Sequence, residues 1–405
     1  MNTRYQHAVL IDGTGAAPVA DAVLVVDDAG LITYAGPAAT APSTPTAVTV
    51  DLRGRTLLPG FFDCHTHLCM TPGRGLTAGL TTDPTVETFE IARRLRTTLD
   101  AGVTTLRDLG GLPAGYRTAV ERGLVEGPRL QTAVKVIGHT GGHADCSLPG
   151  GVNAAPHLAE IADTVDEVRI AARRMLRDGA DVIKVCATGG VLSLGDNPQA
   201  SQYSLEEMKA IVADAHRLGR KVAAHAHGAQ GILWASAAGV DSIEHGSYID
   251  DAGIAEMKKN GTYLVPTLYL GDWFLENAGT LNVPPFMMAK AREVLPTARK
   301  NIAHAFASGV KVGFGTDAAV YPHGLNAHEF AVMVKLGLTP LQSIQAATVN
   351  DADLLGWAGR VGALETGAWA DIIAVDGDPL EDVTTLEKVK FVMIGGAVVK
   401  NEYGK

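Results

Sequence analysis

The order of short apolar runs constrains this chain more than any other feature. Eight recur through its middle: Leu57 to Asp63, Val103 to Leu109, Leu130 to Gly138, Asp181 to Cys186, Lys221 to His225, Asp241 to His245, Tyr263 to Leu268 and Val310 to Thr316. Helical spacing fills the segments between them, as at Val86 to Asp100, Thr164 to Asp178, Leu205 to Leu218, Gln230 to Ala238 and Ala289 to Ser308. Many of these stretches end at a glycine suited to a left-handed terminus, namely Gly102, Gly179, Gly219, Gly239 and Gly309. β-Branched runs alternating with helices read as parallel strands buried on both faces. Eight such units predict a (β/α)8 TIM barrel over residues 59–358.

The two ends of the chain follow another rule. Ala22 to Val26 and Leu31 to Ala35 flank an Asp27-Asp28-Ala29-Gly30 turn, which predicts a hairpin. Asp371 to Val375, Val389 to Ile394 and Ala397 to Lys400 give further strand-like segments. The economical reading is one small β-sandwich domain formed by both termini, residues 1–58 plus 359–405. Two independent β appendages are the alternative.

Composition narrows the class. Of 405 residues, 46% are apolar and 19% charged, and 46 are glycine, which excludes disorder, coiled coil and collagen. No apolar run approaches the roughly 18 residues of a membrane span. The first residues carry no basic stretch leading into an apolar one, so no signal peptide is expected. Cys64, Cys69, Cys146 and Cys186 form no CxxC and no paired framework, which fits a reducing, cytoplasmic setting. A net charge of −10 argues against nucleic acid as a partner.

The chemistry-bearing residues fall at the ends of the predicted strands, where a barrel builds its active site. His65 and His67 follow the first run, His139 and His143 the third, His225 and His227 end the fifth, His245 the sixth and Asp317 the eighth. Residues one apart on an extended backbone share a face, so His65 and His67 together can chelate a divalent ion, as can His225 and His227. Spacing alone leaves open which of His225 and His227 binds. Lys184 sits inside the apolar run Asp181 to Cys186, where a charged amine costs several kcal/mol. Burial lowers its pKa, and a neutral amine can add carbon dioxide to become an anionic carbamate able to bridge two metal ions. A lysine head reaching out of the strand end to an Asp is the plainer alternative. Asp317 is open to three roles: metal ligand, general base or helix N-cap.

The run Pro59-Gly60-Phe61-Phe62-Asp63-Cys64-His65-Thr66-His67, followed by Lys184, His225, His245 and Gly315-Thr316-Asp317, resembles the successive metal-site motifs of the amidohydrolase superfamily. The likeness extends to Ala370-Asp371-Ile372-Ile373-Ala374-Val375 and is greatest to the branch of prolidase-like dipeptidases, ochratoxinase-type amide hydrolases and imidazolonepropionase-like proteins. It implies two divalent ions, most simply Zn2+: one held by His65, His67 and Asp317, the other by His225 and His245, with carboxylated Lys184 bridging them. It implies a metal-bridging hydroxide as nucleophile, with Asp317 as base and then acid, and His227 or His143 stabilising the oxyanion. Many similar dipeptidases carry a tyrosine where this chain has His227, and the ochratoxinase-like proteins resemble it more closely there. His143 stands where those relatives place a histidine near the substrate carboxylate.

The expected substrate is a small-molecule amide, a dipeptide or N-acyl amino acid that includes ochratoxin-type amides. A homo-oligomer is expected from the resemblance. The alternatives are a hydrolase of cyclic amides or lactones, a mononuclear deaminase, and an inactive metal-binding scaffold. His139, Tyr203, Tyr248 and His323 are further substrate-binding candidates. His7, His157, His216, His304 and His328 read as structural. The pocket walls should come from residues 69–84, 191–203 and 268–288, where Trp273, Phe274 and Phe286 hint at an apolar substrate group.

Overall fold

The computed structural model describes residues 2–73, 76–148, 150–193, 196–281 and 285–403. The parts of the expected pocket loops at 74–75, 194–195 and 282–284 lie outside the described residues. Contacts divide the chain into two compact units, Met1–Asp63 with Leu95–Thr105 and Gly324–Lys405, and Cys64–Arg94 with Leu106–His323.

In the first unit, strands from both chain ends share one eight-stranded sheet. Its order runs Ala397–Asn401, Phe391–Ile394, Ile372–Asp376, Arg55–Pro59, Thr3–Leu10, Val19–Val26 and Ile32–Pro37, with Val48–Asp51 also pairing Thr3–Leu10. The predicted hairpin is present as Val19–Val26 against Ile32–Pro37. The termini meet where Arg55–Pro59 pairs antiparallel with Ile372–Asp376. Tyr5, Leu10, Leu24, Leu57, Ile372, Phe391 and Met393 form the apolar core there.

The alternating strands and helices bear out an α/β chain. A three-stranded sheet orders Phe61–Thr66, Val103–Asp108 and Arg129–Thr132. A seven-stranded one orders Ala159–Ile161, Val136–Gly138, Val182–Cys186, Lys221–Ala226, Ser242–His245, Tyr263–Val265 and Lys311–Val312, with every pair parallel. Asp181 N donates to Thr132 O at 2.8 Å between the two sheets. On the far side, Cys64 N donates to Phe314 O at 2.9 Å, Asp317 N to His65 O at 2.7 Å and His67 N to Ala318 O at 3.1 Å.

Three expected strands differ in extent. The first run divides at Gly60, whose added Cβ would lie 2.2 Å from Thr104 Oγ1, and Leu57 to Pro59 belong to the terminal sheet. The third divides at Val134, which takes the left-handed conformation at φ 64°. The eighth is regular only over Lys311–Val312, before the backbone turns toward the first strand. The helices match more closely: Val165–Arg177 starts on a Thr164 cap and Leu205–Arg217 on a Ser204 and Glu207 capping box. Such a cap contributes about 1 kcal/mol. The expected terminal glycines 102, 179, 219, 239 and 309 all have positive φ.

Candidate metal centre

The strand ends of the second unit bring His65, His67, Lys184, His225, His227, His245 and Asp317 to one end of a cavity of about 850 Å3, a usual size for a small-molecule site. Two triads have their ligand atoms within 4.8 Å of one another: His225 with His227 and His245, and His65 with His245 and Asp317. Asp317 Oδ1 lies 3.6 Å from His67 Nε2 and 3.7 Å from His65 Nε2. The rings of His227 and His245 stack at 4.8 Å, and those of His143 and His225 at 4.1 Å.

Hydrogen bonds at the outer nitrogens orient these rings. His67 Nδ1 donates to Gly110 O at 3.1 Å, which leaves Nε2 as the lone-pair nitrogen facing Asp317. His65 Nδ1 donates to Glu244 Oε2 at 2.8 Å, with the same consequence. His245 Nδ1 pairs with Thr267 Oγ1 and His227 Nδ1 with Ser247 Oγ, each at 2.7 Å. His225 Nε2 donates to Gly189 O at 3.2 Å. Partners on the outer nitrogen are how metal-ligating histidines are commonly held.

Burial then sets protonation. It holds His65, His225 and His245 well below the ordinary imidazole range, with like charges from neighbouring cations and histidines adding to it. Burial likewise lowers His67, brings His143 to about 4 and brings His227 to about 3. Neutral imidazole is the form that binds metal. Burial raises Asp317 to about 6 against the opposing pull of Lys184. Lys184 is 3% exposed, and burial lowers its pKa while Glu244 acts in the opposite sense. Its Nζ has no hydrogen-bond partner among the described residues. The snorkelling alternative therefore has no acceptor to satisfy it.

Backbone strain is concentrated here too. Of the six non-glycine residues with positive φ among the described residues, His245 (72°), Thr267 (49°) and Asp317 (58°) belong to this site. Such conformations cost on the order of 1–3 kcal/mol each and persist where surrounding structure imposes them.

The remaining candidates divide. His143 lines the cavity, held by Ser193 Oγ at 2.8 Å and packed so closely on Gly190 that a Cβ there would meet its ring at 2.1 Å. Phe274 and Phe286 also line it. His139, Tyr203, Tyr248, His323 and Trp273 are not among the lining residues. His139 Nδ1 donates to Thr140 O, and the Tyr203 hydroxyl donates to Ala162 O at 2.7 Å, which turns it into packing. Tyr248 borders a separate depression with Gln199 and Lys290. His323 is partly buried, with His67 as its backbone partner. His157, read as structural, does line the cavity.

Arg107 and Glu244 were missed. Both are buried charges inside fully buried strands, but their neighbours in Val103–Asp108 and Ser242–His245 are mostly polar, so the signal that singles out Lys184 is weak there. Their partnership is hidden because they stand 137 positions apart.

The fold and site define a class, and comparison with known proteins agrees. The amidohydrolase family model matches residues 56–399, and the chain belongs to that family. It is a hydrolase of carbon–nitrogen bonds on the TIM-barrel fold of that superfamily. It is 36% identical to the ochratoxinase of Aspergillus niger over 95% of this chain and 83% of the relative, and the crystal structure of that enzyme superposes with a TM-score of 0.89. A Xaa-Pro dipeptidase crystallised with methionine in its active site superposes at TM-score 0.92, with 34% identity over 99% of this chain and all of that one. The imidazolonepropionase of Stenotrophomonas maltophilia is 27% identical over 98% of this chain and 95% of the relative. No helix among the described residues is long and apolar enough to cross a membrane.

Proposed function

We propose that the protein is a binuclear metal-dependent amidohydrolase that cleaves the amide bond of a dipeptide or N-acyl amino acid. The observation that carries this is a buried lysine amine without a hydrogen-bond partner among the described residues, set among neutral imidazoles and a carboxylate that line one cavity. The donor set fits two divalent ions, most simply zinc: His65, His67 and Asp317 for one, His225 and His245 for the other. Lys184, carboxylated on Nζ, would serve both. Bound there, such ions supply Lewis acidity and lower the pKa of water toward neutrality.

The chain's own groups do the rest. Asp317 Oδ1, beside Nε2 of His65 and of His67, takes a proton from the attacking water and returns it to the leaving nitrogen, a role worth roughly 10²–10⁴ in rate. His227 lines the cavity beside His225 and His245 and, with Ser247 Oγ donating to its Nδ1, offers an Nε2–H to the developing oxyanion. His143, whose Nδ1 donates to the Ser193 Oγ that itself donates to Asp196, presents Nε2 as an acceptor to the substrate. Phe274, Phe286, Leu192 and Leu268 in the cavity wall favour an apolar group on one side of the scissile bond. The resemblance to ochratoxinase and to a Xaa-Pro dipeptidase supports amides adjoining a carboxylate.

We further propose that the eight strands close into a barrel and that both termini form one sandwich-type domain. The backbone hydrogen bonds between the first strand and residues 314–318 support closure of the eight strands into a barrel over 59–358. The shared sheet supports a terminal domain of sandwich type from 1–58 and 359–405.

A hydrolysis screen tests the activity. Xaa-Pro dipeptides, N-acyl aromatic amino acids and ochratoxin-type amides should release free amino acid. Turnover confined to lactones or imidazolones would replace this reading with ring opening.

A further inference from the structure

Glu244 is fully buried, and both of its carboxylate oxygens are engaged. Oε2 accepts from His65 Nδ1 at 2.8 Å, while Oε1 accepts from Arg107 Nη2 at 3.0 Å and from Ser242 Oγ at 2.5 Å. Arg107 is itself 1% exposed, donates from Nε to Cys64 O at 2.5 Å, and reaches Ser242 Oγ at 3.2 Å. Its Nη1 has no partner among the described residues, so its position is maintained at some cost. Packing alone does not call for a buried ion pair; a well-fitted apolar pair is often at least as stable.

We propose that Arg107 and Glu244 are positioning residues that fix the tautomer of His65 and thereby the affinity of the metal beside Asp317. The inference rests on the metal-centre reading above. A carboxylate can only accept, so His65 Nδ1 must carry the proton and Nε2 must keep its lone pair toward Asp317. Arg107 fixes the direction of this effect. Facing Arg107, position Oε1 must also be an acceptor, so the two oxygens cannot be replaced by an amide without consequence. In Glu244→Gln the amide oxygen stays on Arg107 and its NH2 group turns to His65 Nδ1. That nitrogen then accepts, and the imidazole proton moves to Nε2, where it blocks the ligand atom.

A rescue should follow that a merely structural role would not produce. In Glu244→Gln combined with Arg107→Met, no cation demands the amide oxygen, so the amide can turn and accept from Nδ1 again. Zinc binding is measured by competition with a chromophoric chelator on the folded full-length chain, with circular dichroism to check folding. Glu244→Gln should weaken one of two zinc sites by roughly tenfold to a hundredfold, the usual effect of removing such a partner, and the double variant should recover part of the loss. Long-range ¹⁵N–¹H spectra of the metal-free single variant should show His65 protonated at Nε2, a readout that stands even if the double variant fails to fold. Two zinc ions bound by Glu244→Gln with wild-type affinity, or an Nδ1-protonated His65 in that variant, would overturn the proposal alone. Wild-type protein that takes up no zinc would overturn the metal-centre reading and this proposal with it.

Discussion

Lys184 and Asp317 bear the chemical argument at the scale of single residues, and they fail differently when replaced. Lys184→Ala removes the only group proposed to serve both ions, so hydrolysis should fall by roughly 10³ or more with metal content reduced, as measured by elemental analysis beside a rate assay. Full activity with both ions retained would end the bridging role. Asp317→Asn keeps shape and volume, so the fold should persist while turnover drops by roughly 10²–10⁴; an active variant would move proton transfer to another group. How much of this was legible in the sequence depends on where each signal lies. A lysine within Val-Ile-Lys-Val-Cys, or two histidines one residue apart, is read within a few positions. The acceptor roles of Gly110, Gly189 and Glu244 are set by neighbours from other strands, and short-range spacing carries no trace of them.

Among the elements, Gly190, Ser193 and Asp196 connect helix Pro285–Ala307 to the histidines. Lys290, on helix Pro285–Ala307, donates to Gly190 O, Ser193 O and Asp196 Oδ1 at 2.9–3.1 Å, and Ser193 in turn holds His143. Lys290→Met should therefore raise KM several-fold with metal content unchanged, because it loosens His143 without touching a proposed ligand. Unchanged kinetics would detach the helix from the site. Gly190→Ala should act in the same direction more strongly, since its Cβ would meet the His143 ring. Strand order was visible in the sequence because alternation of apolar runs and helices survives small local irregularities. Strand ends were not, because Gly60 and Val134 break regularity through close approach and backbone conformation, neither of which is an apolar or polar pattern.

For the whole molecule, the buried histidines couple stability to pH. In the chelated protein, burial depresses His65, His67, His143, His225, His227, His245 and His323 below the imidazole value of an unfolded chain, about 6.5. Unfolding below that pH takes up protons, so stability present above about 6.5 is lost as pH falls. Asp108 and Asp317, both raised to about 6, act in the opposite sense between about 4 and 6 but are outnumbered. The Tm of chelated protein should be lower at pH 5.5 than at pH 7.5, and zinc should raise it at pH 7.5; a Tm that rises on acidification would contradict this. A paired metal centre on a carboxylated lysine is tested most directly by counting the ions bound per chain in purified wild-type protein and in Lys184→Ala. The wild type should bind two divalent ions per chain and the variant fewer than two. One ion or none in an active wild type, or two in both proteins, would contradict it.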